Sequence, residues 1–310
     1  MNRRHFIHTV GSGALLTGAG AFPLQAFAAN PEIVKLTILH TNDVHSRVEP
    51  FPMDGSRLQG LGGVARRAAL IKKIRQEEKQ VLLLDAGDIF QGTPYFNVYG
   101  GELEMKLMTQ MGYDAATIGN HDFDAGIDGL YKQLPNANFP LINCNYDFSN
   151  TILKDSVKPY QIFHRGAIKI GVLAVGIELD GLVPKALFKE TQYLDPIANA
   201  NKVATMLKKD EKCDFVICLS HLGYKYGENK VSDIVLANQS RDIDLIIGGH
   251  THTFLDEPVL ESNLDGDPVL INQVGWAGVV LGRLDVLFER NRKGKCVSCR
   301  NMLVNKAKQN

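Results

Sequence analysis

The sequence predicts a single α/β domain whose β-strands are covered on both faces. Short, continuously apolar runs alternate with amphipathic helical patterns from about Pro31 to about Asn305. No internal repeat, low-complexity tract or long linker divides this stretch. The 310 residues, of which 45% are hydrophobic, suffice to bury one large core. One domain is therefore the simplest interpretation.

Nine apolar runs predict the strands. Most of them are short and continuously apolar, which is typical of strands that are buried on both faces of a sheet. In chain order they are Lys35–His40, Val81–Leu84, Ala115–Ile118, Phe139–Asn143, Ile168–Val175, Phe215–Leu219, Asp244–Ile247, Val269–Gln273 and Val279–Phe288.

Five amphipathic segments predict the helices that cover the strands. Pro196 directly precedes the fourth segment, at a position where proline suits the first turn of a helix. The segments are Val64–Glu78, Glu102–Met111, Ile127–Leu134, Ile197–Lys209 and Val231–Asn238.

Residues 1–28 resemble an export signal of the twin-arginine type. Arg3 and Arg4 precede a weakly apolar stretch without acidic residues, and Ala26-Phe27-Ala28 supplies a small-x-small cleavage pattern. An ordinary secretory signal stays open as the alternative. The apolar stretch is too short and too rich in Gly for a membrane span, so we expect none after the signal is removed. These features predict an exported, periplasmic bacterial protein.

The net charge excludes one class of partner. Lysines and arginines equal aspartates and glutamates at 34 each, and removal of residues 1–28 leaves a net charge of −2. No basic stripe with interleaved aromatic residues is present. We therefore expect no binding to a nucleic acid polymer. Any anionic substrate must be held by a local positive centre.

The five cysteines do not predict a disulfide framework, because their number is odd and the chain is long. Cys296 and Cys299 have the spacing of half a structural zinc site, but no second pair completes it. A local disulfide or two free thiols is expected there.

Polar residues follow five of the predicted strands at the point where each strand ends. In an α/β sheet the carboxyl ends of the strands face one crevice, where ligands bind. Glycine lies close by in four of the five cases, where it permits sharp turns and close approach to a ligand. The five stretches are His40–His45, Asp85–Asp88, Gly119–Asp124, Ser220–Gly223 and Gly248–His252.

These strand ends offer enough donors for two metal ions. Two ions about 3.5–4 Å apart need roughly seven or eight protein ligands, one of them bridging. Carboxylate, amide and imidazole donors suit zinc, manganese or iron. Each stretch alone also fits a turn, a helix cap or a partly buried histidine, so the prediction depends on their coincidence. The candidate ligands are Asp43, His45, Asp88, Asn120, His221, His250 and His252.

The motifs, in this order, resemble the calcineurin-like metallophosphoesterase superfamily. The stretches LTILHTNDVHSR, GDIFQGTP, GNHDFD and GGHTHT narrow the resemblance to the 5′-nucleotidase branch. It extends from about Leu36 to about Leu287 and implies a four-layer α/β/β/α sandwich of the metallo-dependent phosphatase type. Residues 29–310 are accordingly expected to form a single catalytic domain.

The resemblance also implies a role for each residue. His121 would lie over the phosphoryl group, where it stabilises the transition state or protonates the leaving oxygen, and Asp124 would orient it. Asp122 receives no chemical role, because Glu is frequent at its position in this branch. Asp43, His45 and His252 would hold one metal, Asp88 would bridge, and the other metal would be held by Asn120, His221 and His250.

The expected activity is hydrolysis of nucleotide-type phosphate esters with two divalent ions, zinc, manganese or iron. The ions would neutralise the phosphoryl oxygens and generate a hydroxide nucleophile from bound water. Nucleotidases of this branch typically carry a second domain that grips the nucleoside, and we expect only the catalytic domain here. A separately encoded nucleotide-binding partner, loops of the catalytic domain, and a smaller phosphate ester all stay open. Cyclic-nucleotide phosphodiesterase, thiosulfate-ester hydrolase and a non-catalytic metal-binding partner are the alternative functions.

Overall fold

The computed structural model describes residues 33–227, 230–289 and 295–305. The predicted export signal, residues 1–28, lies outside these ranges. The first of two six-stranded sheets has the order β13-β12-β1-β2-β3, with β14 also pairing with β12. Its strands β1, β2 and β3 are parallel, and β12 is antiparallel to β1. They are β1 (Ile33–Thr41), β2 (Val81–Asp85), β3 (Ala115–Ala116), β12 (Val280–Glu289), β13 (Lys295–Cys299) and β14 (Met302–Leu303).

The second sheet has the order β10-β11-β9-β8-β6-β5. Strands β6, β8, β9 and β11 are parallel, whereas β5 and β10 pair antiparallel at the two edges. A separate two-stranded ribbon joins β4 (Tyr146–Asp147) to β7 (Gln192–Tyr193). The strands of the second sheet are β5 (Tyr160–Arg165), β6 (Ile168–Gly176), β8 (Phe215–His221), β9 (Leu245–Gly248), β10 (Val259–Ser262) and β11 (Pro268–Asn272).

Helices accompany both sheets. Asp195 caps the longest helix of the second half by accepting hydrogen bonds from two backbone amides, and Ser232 caps the last helix. The α-helices are α1 (Val64–Glu77), α2 (Pro94–Tyr99), α3 (Glu102–Met111), α4 (Gly126–Gln133), α5 (Lys185–Phe188), α6 (Pro196–Lys209) and α7 (Asp233–Gln239).

Three apolar clusters show that the layers stack as α/β/β/α. The middle cluster joins the two sheets, for example Leu36 and Ile38 of β1 with Ile217 of β8. A second cluster packs helices α1, α3 and α4 on the outer face of the first sheet, and a third packs α6 and α7 on the second sheet. Because side chains alternate along a strand, β1 sends Leu39 to the outer cluster. The predicted four-layer fold is confirmed.

Two strand predictions need correction. The expected strand Phe139–Asn143 forms only isolated bridges at Leu141 and Ile142. The expected strand Ala115–Ile118 is reduced to Ala115–Ala116. In both cases the apolar residues are buried, but the hydrogen-bonded ladder is short or reduced to single bridges.

The structure also bears on the cysteines and on membrane association. Cys299 is a free thiol, so the local disulfide is not formed; the side chain of Cys296 lies outside the described residues. Across the described ranges, no helix combines the length and hydrophobicity that crossing a bilayer requires.

Candidate metal centre

All seven predicted ligands lie together at the carboxyl ends of the parallel strands. The first sheet supplies four of them from the loops after β1, β2 and β3, and the second sheet supplies three from β8 and the loop after β9. The loops are joined by backbone hydrogen bonds, from Asp43 N to Gly87 O at 2.9 Å and from His45 N to Asp88 O at 3.0 Å. The crevice at the strand ends is thus built as one unit.

The first set of donors, here called the outer group, comprises Asp43, His45 and His252, whose donor atoms lie within 4.8 Å of one another. The Nε2 atoms of His45 and His252 are 2.9 Å apart. His252 Nε2 lies 3.4 Å from Asp43 Oδ1. Because the residues come from both sheets, a cation held here would join the two sheets.

The second set, the inner group, comprises Asp88, His221 and His250, again within 4.8 Å. Asn120 Oδ1 lies 2.8 Å from His250 Nδ1, which brings the predicted amide ligand to the same place. Asp88 Oδ2 lies 3.1 Å from His221 Nε2 and 3.8 Å from His45 Nε2. Asp88 therefore stands between the two groups, as a bridging ligand requires.

Among the residues that the structure describes, the inner group contains a buried imidazole nitrogen without an aligned hydrogen-bond partner. His221 is fully buried, and its Nε2 makes no aligned hydrogen bond although Asp88 is near. Its Nδ1–H donates to Ala86 O at 2.7 Å, which leaves Nε2 as the ring nitrogen that faces the site. A buried, unpartnered imidazole nitrogen beside carboxylates is the donor chemistry that a divalent cation satisfies. The residues fit two such ions.

Charges inside the site depend strongly on one another. Burial alone would raise the pKa of Asp88, but the imidazoles of His221 and His45 hold it below its ordinary value. Burial would lower the pKa of His221, but the carboxylates of Asp88 and Asp43 raise it to about 10. Burial lowers the pKa of His250 to about 4. The carboxylates thus favour positive charge at the centre of the site.

The backbone at the ligands is unusual. Five of the seven have a left-handed conformation, which is uncommon outside glycine although Asn, Asp and His tolerate it best. Such conformations persist where the surrounding structure fixes them, and they cluster at functional sites. The residues are Asp43 (φ 50°), His45 (φ 50°), Asp88 (φ 56°), His250 (φ 70°) and His252 (φ 52°).

Two glycines let the loops approach closely. A Cβ at Gly119 would overlap the Asp88 carboxylate, and one at Gly249 would lie 2.9 Å from Ala86 O and from His221 Nδ1. The glycines of the GNHD and GGHTH stretches are therefore required by the closeness of neighbouring ligand loops.

His121 and Asp124 lie beside the ligands. The backbone N–H of His121 donates to Asp88 Oδ1 at 2.8 Å, and its ring centroid lies 5.3 Å from that of His45. His121 Nδ1 and Asp124 Oδ2 are 2.8 Å apart, and the His121 side chain is 40% exposed. The hydrogen bond to Asp124 raises the pKa of His121 above its ordinary value. A reachable imidazole, whose Nε2 has no hydrogen-bond partner within the described ranges, therefore lies next to the candidate ligands.

Asp122, for which the motifs predicted no chemical role, organises the inner group. Its buried carboxylate accepts four backbone hydrogen bonds, from Gly119 at 2.8 Å, Ile89 at 2.9 Å, Asp88 at 3.0 Å and Phe90 at 3.1 Å. It thereby fastens the loop after β2 to the loop after β3. The sequence signal for this role was an acidic residue close behind the candidate ligands. Its hydrogen-bond partners are main-chain N–H groups, which a sequence motif does not show.

Asn42 performs a similar task for the outer group. Its Nδ2 donates to Asp43 Oδ2 at 2.7 Å and to Gly275 O at 2.5 Å, while its Oδ1 accepts from Val274 N at 3.0 Å. The backbone N–H of His250 donates to both carboxylate oxygens of Asp43 at 3.0 Å. The carboxylate is therefore held directly by Asn42 and His250, and indirectly by the 274–275 backbone that holds Asn42.

Comparisons with known proteins agree with this site. The model of the calcineurin-like phosphoesterase family matches residues 36–254. The snake venom 5′-nucleotidase of Crotalus adamanteus is 34% identical, over 82% of this chain and 45% of its own length. The crystal structure of a 5′-nucleotidase precursor from Thermus thermophilus is 33% identical, with a TM-score of 0.77, and the match covers 87% of this chain and 54% of that one.

A further solved structure is similar to this chain over nearly the full length of both chains. The calcineurin-like phosphoesterase YfkN structure from Bacillus subtilis is 25% identical, with a TM-score of 0.70, over 88% of this chain and 91% of that chain. The chain spans about half the length of the curated 5′-nucleotidases it matches. The predicted family and the prediction of a metal-dependent phosphoester hydrolase are confirmed at the level of the family. The chain belongs to the calcineurin-like phosphoesterase family, and its relatives are of the 5′-nucleotidase type.

Proposed function

We propose that the chain hydrolyses phosphate monoesters of nucleotides with two divalent metal ions held by the outer and inner groups. The proposal is carried by the meeting of two donor groups around Asp88, with His121 at their edge. When bound, the ions supply positive charge for the phosphoryl oxygens and activate the attacking water. Zinc, manganese and iron all match the mixed carboxylate, amide and imidazole donors.

His121 is proposed to act on the leaving group. Asp124 fixes the ring through Nδ1, so Nε2 is the atom that can hold a proton over the departing oxygen. The backbone hydrogen bond from His121 to Asp88 Oδ1 fixes the position of the imidazole relative to the bridging carboxylate. Proton donation from this atom, or stabilisation of the charge on the phosphoryl group, is the contribution that the geometry supports.

A substrate panel on the metal-loaded chain tests both points. We expect hydrolysis of 5′-AMP and p-nitrophenyl phosphate with Mn²⁺ or Zn²⁺ and none after chelation. His121→Ala should retain its metal and lose roughly 10²–10⁴-fold in kcat, the usual contribution of a general acid. His164→Ala, which changes an exposed histidine on β5, is the matched control. Full metal occupancy without turnover of either ester would favour a non-catalytic metal-binding partner.

Phosphodiesters are a second candidate substrate class. The Bacillus subtilis relative is named a trifunctional nucleotide phosphoesterase and is 32% identical over 88% of this chain. The same panel therefore includes bis-p-nitrophenyl phosphate and a cyclic nucleotide. A higher kcat/KM for these compounds than for 5′-AMP would replace the monoester proposal.

Recognition of the nucleoside is proposed to come either from a separately encoded partner or from loops of this chain. Of the aromatic residues near the β2 loop, Phe90 and Phe96 are buried and stack on each other at 5.5 Å, whereas Tyr99 is half exposed. Comparing kcat/KM for 5′-AMP and p-nitrophenyl phosphate separates the two cases. A clear preference for 5′-AMP on the isolated chain would indicate recognition by its own loops.

Export to the periplasm is proposed from residues 1–28, with support from the relative found in snake venom. Fractionation of bacterial cells that express the full chain tests it, with Arg3 and Arg4 both changed to Lys as the control. Retention of the unchanged chain in the cytoplasm would contradict the proposal.

A further inference from the structure

We propose that Trp276 is a positioning residue that holds the imidazole of His252 for the metal of the outer group. As the only tryptophan in the chain, it also reports on whether that metal is bound. The inference rests on the proposed metal-binding role of the outer group and concerns a residue that none of the five motifs contains.

The indole of Trp276 lies flat against the His252 ring. The ring centroids are 5.6 Å apart and the planes differ by only 9°. The ring contact of His252 with His45 is instead edge-on, at 71°. The stack therefore fixes the plane in which His252 presents Nε2 to Asp43 and His45.

His252 needs such support more than the other ligands that present Nε2. The Nδ1–H groups of His45 and His221 point to backbone carbonyl oxygens, of Phe90 at 3.4 Å and Ala86 at 2.7 Å. Within the part of the chain that the structure describes, no hydrogen bond holds Nδ1 of His252, whose side chain is 39% exposed. Metal-binding histidines are usually oriented through the second ring nitrogen. Here the stacked indole takes that place.

The loop that carries Trp276 is itself fastened to the outer ligands. Ala277 N donates to Asp43 O at 2.7 Å, and Asn42 Nδ2 donates to Gly275 O. Phe51 packs edge-on against the indole at 5.7 Å. The indole is therefore fixed relative to Asp43 before any metal arrives, which is what a positioning residue requires.

Metal binding should strengthen the stack. An imidazole that coordinates a cation carries partial positive charge, and the face of an indole attracts positive charge. The stack then favours the metal-bound state over the free state, so its removal should weaken binding at the outer group only. We expect about tenfold weaker binding of one of two ions, which is the lower end of the effect usual for residues that orient metal ligands.

Titration of the metal-free chain with Co²⁺ alone tests the proposal. Wild type should bind two ions. Trp276→Leu should bind one with unchanged affinity and the other about tenfold more weakly, with an altered visible spectrum for that ion. Trp276→Phe, which restores a stacking ring, should recover most of the affinity. Tyr131→Leu removes a more exposed aromatic residue on α4, outside the ligand loops, and should behave as wild type.

Fluorescence supplies an independent readout. Co²⁺ bound by His252 should quench the emission of Trp276, and the quenching should be lost in His252→Ala. Superimposable Co²⁺ titrations of wild type and Trp276→Leu would overturn the inference, as would equal weakening in Trp276→Leu and Tyr131→Leu. Failure of wild type to bind Co²⁺ would instead refute the proposed function.

Discussion

The outer and inner groups have similar donors but different surroundings. In the inner group His221 is fully buried and held by a 2.7 Å hydrogen bond to Ala86 O, and Asp88 is nearly as buried. In the outer group the His252 side chain is 39% exposed and the hydrogen bond from His45 to Phe90 O is long, at 3.4 Å. The protein thus orients the inner ligands by buried hydrogen bonds and one outer ligand by a ring stack at the surface.

Two adjacent sites built from the same sheets therefore need not hold metal equally well. Ligands that are fixed before binding lose little freedom when the ion arrives, whereas an exposed ring must be ordered. We expect the inner group to retain its ion more tightly, and the outer group to exchange its ion more readily.

Removing one histidine of each group should change activity most. His221→Ala should abolish the inner ion and lower kcat for p-nitrophenyl phosphate by at least about 10³-fold, because the bridging carboxylate then loses its buried partner. His252→Ala should keep one ion and regain part of its activity when metal is in excess. Metal content after dialysis and rates at rising Mn²⁺ concentration measure both. Recovery of His221→Ala by excess metal would reverse the assignment of inner and outer.

An intermediate effect is expected from the residues that support each group. Asp122→Asn replaces an acceptor of four N–H groups by an amide that can accept only through one oxygen, so buried donors lose their partners at a cost of about 1–3 kcal/mol each. The variant should unfold at lower urea concentration and bind the inner ion roughly 10–100-fold more weakly.

Asn42→Ala is the matched change on the outer side, because it removes a donor to Asp43. It should weaken the outer ion about tenfold and leave the inner ion unchanged. Isothermal titration of both variants with Mn²⁺ resolves the two binding steps. Loss of the same step in both variants would show that the groups form a single cooperative unit.

The smallest expected effect is a pH dependence of folding stability that comes from a histidine in the core, behind the metal centre. His40 is fully buried, its Nε2 accepts from Asn272 Nδ2 at 2.8 Å, and burial lowers its pKa from 6.5 to about 3. The folded chain therefore resists protonation that the unfolded chain accepts. The stability that depends on a neutral His40 is complete above pH 6.5 and is lost as pH falls towards 3. Over this range the free energy of unfolding falls by at most about 1.4 kcal/mol per pH unit.

His40→Gln keeps an acceptor for Asn272 but does not titrate. In urea unfolding of the chelated chain between about pH 6.5 and about pH 4.5, the variant should lose less free energy of unfolding per pH unit than wild type. Equal slopes would assign the acid sensitivity to other groups, including the ligands themselves.

The sequence predicted the clustering of the candidate ligands better than it predicted the edges of the fold, and their role as metal ligands stays a prediction. The clustering of Asp43, His221 and His250 was predictable because each lies at or just after the end of a buried strand, and parallel strands must end side by side. The supporting residues escaped because their partners are distant: Asp122 binds main-chain groups, and Trp276 lies 24 positions beyond the histidine that it contacts. No local pattern encodes such contacts.

The fold-level errors have a related cause. Phe139–Asn143 is apolar enough for a strand, but hydrophobicity reports burial and not the presence of a hydrogen-bonded neighbour. The edge strand β5 was missed because its residues are only partly buried and carry charge, as in Tyr160–Arg165.

The left-handed backbone at five of the candidate ligands limits which substitutions this chain can accept there. At such φ angles a β-branched or bulky residue would be strained, while Asp, Asn and His are accommodated. Mutation can therefore exchange these three among themselves more readily than it can introduce other residues. Substitutions that alter the chemistry of this chain are therefore expected to be tolerated better in the neighbouring loops than at these five positions.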